Sequence, residues 1–167
     1  MVRVVSIFVG SLLALGLSSC GGVHSTMLKP PESAMVFREV TLAPVQVNSK
    51  EQNPDALSLN AQWNKIAIEE LQSFLANKKI AVASDAPATV LCRIEVTYGN
   101  RALRYFVGFG AGAGHIQVTV ELQDKTGRIL YATDSKADLA VGVFGGDMAQ
   151  VVRNTIQAAV KEFGSRL

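Results

Sequence analysis

The chain has 167 residues, 49% of them hydrophobic and 18% charged, with a formal net charge of +2 and only two cysteines and two histidines. A chain of this size needs one domain, which buries roughly two-thirds of the surface the unfolded chain exposes. The near-neutral balance gives no electrostatic footprint for nucleic acid, and two cysteines exclude a disulfide framework.

Arg3 precedes an apolar stretch, Val4 to Leu17, interrupted by Ser6, Ser11 and two glycines. A membrane-crossing helix needs roughly 20 apolar residues. This run is shorter and is predicted to be a secretory signal peptide covering residues 1–19. Leu17-Ser18-Ser19-Cys20 resembles the lipobox of bacterial lipoproteins, whose cysteine is acylated and becomes the first residue of the mature chain. By that resemblance Cys20 is the lipidation site, and palmitate-type chains on it hold the protein on a membrane; one chain holds weakly, two or more hold stably. Gly21 stands where the inner-membrane retention signal of such lipoproteins has Asp. The resemblance therefore implies the periplasmic side of the outer membrane of a Gram-negative bacterium.

Residues 20–35 contain Gly21-Gly22, Ser25-Thr26 and Pro30-Pro31 with no apolar period, the composition of a flexible tether. As a coil it reaches about 20 Å, so the domain expected over 36–167 hangs clear of the lipid. Val36 to Val47 is rich in β-branched residues and predicts a strand, with Pro44 forcing an edge or a bulge. From Asn60 to about Lys78, Trp63, Ile66, Ala67, Leu71, Phe74 and Leu75 recur at helical spacing. A short strand, Ile80 to Ala83, follows.

Val90, Cys92, Ile94, Val96 and Tyr98 alternate with polar and mixed residues, as do Ile116, Val118, Val120 and Leu122 with His115, Gln117, Thr119 and Glu121. Both segments predict strands with one apolar face. "QDKTGRI" supplies Asp124 and Gly127 for a hairpin into a strand from Arg128 to about Ala137. After Gly145-Gly146, with Asp147 a candidate N-cap, the stripe Met148, Val151, Val152, Thr155, Ile156, Ala159, Val160 and Phe163 predicts a terminal amphipathic helix. The expected fold is α+β: a two-layer sandwich of a mainly antiparallel sheet of about five strands with two amphipathic helices on one face, in the order β-α-β-β-β-β-α. The pattern leaves strand order open.

"FVGFGAGAGH" places glycines at 108, 110, 112 and 114. Positions 108, 110 and 113 satisfy the loose dinucleotide fingerprint, but the strand-to-helix context that gives it meaning is missing, since a strand follows. No cofactor is expected. The run is either a loop between antiparallel strands or a surface bare of side chains on which a second chain packs closely. In the second case Gly108, Phe109, Gly110, Gly112 and Gly114 form the partner-binding surface. A further alternative puts residues from about 103 to 120 into a membrane as part of an oligomeric β-hairpin pore.

The inventory for catalysis is thin. Cys92 falls on an apolar strand face and His115 on a polar one, which separates the one cysteine and the one histidine of the predicted domain and argues against a nucleophile–base pair. Asp124 and Asp134 suit a turn and a strand surface better than a carboxylate pair. No metal-ligand spacing, P-loop or nucleophile elbow occurs. No catalytic or metal residues are assigned, and the chain is not expected to be an enzyme.

The lipobox, "GFGAGAGHIQVTVELQDKTGRIL" and the paired glycines before the last helix together resemble a family of bacterial lipoprotein domains known only as a domain of unknown function, DUF 4410. The likeness covers about residues 36–165 and is most distinctive from Gly108 to Leu130. The family implies no catalytic residues. Function is accordingly expected to be that of a non-enzymatic, lipid-anchored envelope lipoprotein acting through protein contacts, in an accessory or assembly role. Its partners would be the membrane, through Cys20, and an envelope protein or further copies of itself, with no nucleic acid. Alternatives are a carrier of an apolar ligand between sheet and helices, and an envelope hydrolase.

Overall fold

The computed structural model describes residues 23–31, 36–50, 54–97, 114–139 and 148–165. In chain order these form β1 (His24–Lys29), β2 (Glu39–Leu42), β3 (Gln46–Ser49), α1 (Pro54–Asn77), β4 (Ala81–Val82), β5 (Ala88–Thr97), β6 (Gly114–Asp124), β7 (Ile129–Leu139) and α2 (Met148–Gly164). The α+β sandwich expected from the sequence is present, with a mixed sheet of seven strands rather than about five.

The order across the sheet is β1-β7-β6-β5-β2-β4, with β3 also on β5. Three long strands make its centre. β6 pairs antiparallel with β5 from Thr97↔His115 to Ala88↔Asp124, and with β7 from Gly114↔Leu139 to Gln123↔Ile129. This register puts Val90, Cys92, Ile94 and Val96 beside Ile116, Val118, Val120 and Leu122, all at most 2% exposed. Tyr131, Thr133, Ser135 and Ala137 continue that face onto β7. One face of the sheet is thus the floor of the core, as period-two alternation requires.

The extra strands come from two corrections to the expected elements. Residues 24–29 are not tether: β1 pairs antiparallel with β7, His24 opposite Lys136 and Thr26 opposite Asp134, with a register shift between Met27 and Lys29. Ser25 and Ser135 share a hydroxyl hydrogen bond of 2.7 Å, and the Lys29 ammonium donates to the Ile129 carbonyl. The single strand expected over Val36–Val47 is split at Pro44, which has no N–H to give a ladder. Its two halves both lie parallel on β5, β2 against Thr89 and Val90 and β3 against Arg93 to Val96. A parallel return needs a crossover, and α1 supplies it between β3 and β4.

Both helices pack on the floor and on each other. Pro54 stands at the first helical position of α1, where a missing N–H costs nothing. Trp63, Ala67, Leu71 and Leu75 of α1 and Val152, Ile156, Ala159 and Phe163 of α2 are essentially buried. Phe163 stacks on Tyr131 at 5.2 Å between centroids and meets Phe74 edge-on at 6.4 Å. The Tyr131 hydroxyl donates to the Glu162 carbonyl at 2.9 Å, and Glu70 receives Gln157 at 2.9 Å and Arg153 at 3.4 Å. No helix among the described residues is long and apolar enough to cross a membrane.

The helix C-termini approach so closely that a glycine is required. A Cβ on Gly164 would lie 2.2 Å from Cε2 and 2.6 Å from Cζ of Phe74, whose ring is already held by Phe163. Gly164→Ala is therefore expected to lower stability by about 1–3 kcal/mol, the usual cost of overpacking, read as a lower urea midpoint. Gly164→Ala combined with Phe74→Leu should recover part of that loss; a single variant as stable as the parent would contradict the contact.

Candidate functional site

With both helices on one side, the other face of the sheet is left to side chains alone among the described elements. Register sets them out in rows across the strands. One row runs Thr26, Asp134, Thr119, Arg93, Gln46; the next runs His24, Lys136, Gln117, Glu95, Asn48. Charges of both signs alternate over it, with Arg93 and Glu95 exposed and Glu121 half-buried.

Asp134 is the exception in this face. The sequence places it on a strand surface, yet it is 2% exposed. A carboxylate taken out of water needs compensating partners, and three are present. Gln117 Nε2 donates to its Oδ1 at 2.9 Å, Thr119 Oγ1 to the same oxygen at 3.2 Å, and Lys136 Nζ lies 3.3 Å from Oδ2. Asp134 thereby ties β6 to β7 from the solvent side. No sequence signal marks this residue, because burial of one polar side chain in a polar row depends on neighbours from other strands.

The groups considered for catalysis are dispersed. Cys92 is unbridged and 2% exposed on the helix side of β5; burial pushes its thiol up to about 12. His115 lies on the opposite face at the start of β6, its Nδ1 2.8 Å from Asp138 Oδ1, with both side chains largely in solvent. The five steps along β5 from Cys92 to Thr97, the partner of His115, add about 17 Å along the strand. Nucleophile and base cannot meet.

Asp124 serves the turn, as its spacing before Gly127 implies. Its Oδ1 accepts from the Thr126 hydroxyl at 2.6 Å and from the amides of Thr126 and Arg128 at 2.9 and 3.1 Å, while Gly127 takes φ +83°. The Thr126 hydroxyl, opposed by desolvation and aided by the amides of Arg128 and Thr126 and the Arg128 guanidinium, holds the carboxyl down at about 2. Among the described residues no three His, Cys, Asp or Glu side chains are grouped to hold a metal ion.

Two cavities bear on the carrier alternative. One, of about 10 Å³ beside Pro44 and Arg93, holds at most a water. The other is an open groove of about 460 Å³ between the helix C-termini, where Glu70, Lys78, Gln157 and Lys161 surround Phe74. Between sheet and helices, Trp63, Leu71, Tyr131 and Phe163 fill the centre.

Cys20, and Gly108, Phe109, Gly110 and Gly112 of the glycine run, lie outside the described residues, as does the candidate cap Asp147. Gly114 is described: it opens β6, buried and paired with Leu139, so residues 114–120 belong to the sheet and not to a membrane-inserted hairpin.

A family model described as Domain of unknown function (DUF4410) matches residues 38–143. The chain belongs to this family. Among curated proteins none matches it. Among solved structures, a PelC dodecamer from Paraburkholderia phytofirmans shares the fold at a TM-score of 0.54 and 16% identity, over 88% of this chain and 99% of that one. The PelC L103M dodecamer from the same organism gives 0.50 and 19% over the same shares. A Helicobacter pylori protein described as a homologue of neuraminyllactose-binding hemagglutinin gives 0.50 and 14%, over 84% of this chain and 88% of that one. At these identities the likeness is one of fold.

The buried thiol of this DUF4410 chain makes a direct prediction. Its folded value lies above the ordinary 9.0, so its contribution to stability is complete below about pH 9 and is lost as pH rises from 9 to about 12. In a Cys20→Ala background, native protein at pH 8 should leave Cys92 unmodified by a thiol reagent that reacts at once in urea. The stability difference between that protein and its Cys92→Ala variant should shrink across pH 9–12. Rapid labelling of the native state would contradict the burial.

Proposed function

We propose that this DUF4410 protein is a non-enzymatic lipoprotein of the outer membrane, anchored through acyl chains on Cys20 on the periplasmic side, that works by contacts with other envelope proteins, copies of itself included. The observation that carries the reading is the one-sided architecture. Among the described residues both helices pack on one face, which leaves a broad sheet face of alternating charge, continuous with β1 at the sheet edge. An edge strand offers backbone groups to a further strand, and a mixed-charge face gives orientation and specificity to an approaching surface.

Three further points support it. The lipobox Leu17-Ser18-Ser19-Cys20 and the short apolar run before it fit an exported, acylated chain. Cys92 and His115, the groups that would carry nucleophilic chemistry, are kept on opposite faces. The PelC structures of this fold are dodecamers, so the fold is compatible with assembly into a multimer. The run Gly108 to Gly114, joined to the sheet at Gly114, belongs to the proposed contact surface with the outer face and β1.

The test is made on protein extracted from membranes with detergent. Intact mass should correspond to a chain starting at Cys20 with added hydrocarbon. Photo-crosslinkers placed at Arg93, Thr26 and Phe109 in intact cells should each give discrete adducts, and the extracted protein should sediment as a multimer or with a partner. A chain beginning at Met1 without added hydrocarbon would sink the anchor. A monomer with no adduct from any of the three positions would sink the contact role.

A further inference from the structure

Almost no chain separates the proposed anchor from the folded body. Val23 packs against the core and His24 opens β1, so only Gly21 and Gly22 lie between Cys20 and a packed side chain. Three Cα-to-Cα steps of about 3.8 Å limit that span to about 11 Å. The headgroup layer of one leaflet is itself roughly 5–8 Å deep. A coil over residues 20–35 would reach about 20 Å and leave the domain free of the surface. The much shorter span set by β1 does not.

Register says which part of the molecule this brings down. His24 stands level with Lys136, Gln117, Glu95 and Asn48, on β7, β6, β5 and β3, and the next row on the same face is Asp138, His115 and Thr97. The same end carries Thr97, Gly114 and Leu139, the points where the chain leaves the sheet, re-enters it and leaves it again. At the other end are the tight hairpin at Asp124–Arg128, Asp85 paired with Lys125, and both helix C-termini.

We infer that the protein stands end-on on phospholipid headgroups, with the His24–Lys136–Gln117–Glu95 end of the sheet against the bilayer and the β6–β7 hairpin pointing away. The inference rests on acylation of Cys20, proposed above. Ten steps along β6 from Gly114 to Asp124 place the hairpin about 33 Å from the surface. The outer sheet face and the β1 edge then run upright, open sideways to neighbours anchored in the same leaflet.

The experiment uses the full acylated chain reconstituted in phosphatidylethanolamine–phosphatidylglycerol vesicles containing headgroup-nitroxide lipid. A single fluorophore is attached at Glu95→Cys, or at Lys125→Cys in the hairpin. Lys125 follows Asp124, which lies seven steps and about 23 Å along β6 from Gln117, the partner of Glu95. Quenching at 95 should exceed that at 125 severalfold, and Asn48→Cys, in the same row on β3, should behave as position 95 and serve where Glu95→Cys folds poorly. Equal quenching at both ends, or stronger quenching at 125, overturns the end-on arrangement while flotation with the vesicles leaves the anchor standing. Protein that lacks acyl mass and does not float removes the anchor and this inference together.

Discussion

β6 is held from both sides by long antiparallel partners, and its alternation decides everything placed around it. Side chains in a strand repeat every two residues, so a slip of one position against β5 or β7 would move Ile116, Val118, Val120 and Leu122 to solvent and bring His115, Gln117, Thr119 and Glu121 under the helices. No neighbouring register offers a partial solution. With this one fixed, the helices have a single apolar surface to cover, and they settle against each other on it through Phe74, Phe163 and Tyr131. The Asp134 network adds a polar lock of the same register from the opposite side, since Gln117 and Thr119 reach one carboxylate on β7 only when both strands are in phase.

What was legible in the sequence follows from the same physics. β5, β6 and α2 announce themselves because each buries one face, and a one-faced element has to repeat at its own period. The hairpin was legible because Asp124 and Gly127 act within a single turn, through bonds the local chain makes for itself. Pro44 was legible as a disturbance but not as the point where one strand becomes two, since that depends on both halves finding β5. β1 was not legible at all. "HSTMLK" has no apolar alternation; it is a strand because β7 presents an edge, and Ser25 finds Ser135 there. Within the candidate site the outer-face residues were visible as the polar phase of two strands, whereas their rows, and the burial of Asp134, exist only once four strands are side by side.

The strand that escaped detection has the largest consequence for function. A coil from 20 to 35 and a strand from 24 to 29 use the same residues and the same proposed anchor, yet one would isolate the domain from the membrane and the other would fix its distance and inclination. Pairing of β1 with β7 removes the freedom of residues 24–29 at a stroke, and Val23 adds a packed side chain at the position just after the two glycines. Whatever force the membrane or a neighbour exerts on the first residues is therefore delivered to the edge of the sheet rather than lost in a linker.

An edge strand beside a membrane is also an edge held in a defined plane, and that changes what a weak contact can achieve. In solution an open edge invites indiscriminate pairing, and this one carries the usual restraints: it is short, its register breaks between Met27 and Lys29, and polar residues dominate it. Such restraints make pairing between free copies weak. Copies tethered through Cys20 as proposed, by chains of about 11 Å, would share one narrow layer and one inclination, so the rotational and translational freedom that association otherwise removes would largely have been surrendered to the bilayer already. On the proposed anchoring, contacts too weak to matter among freely diffusing domains would then suffice between neighbours in one leaflet. The same restraint that blunts the edge against accidental aggregation leaves it usable where orientation is imposed from below.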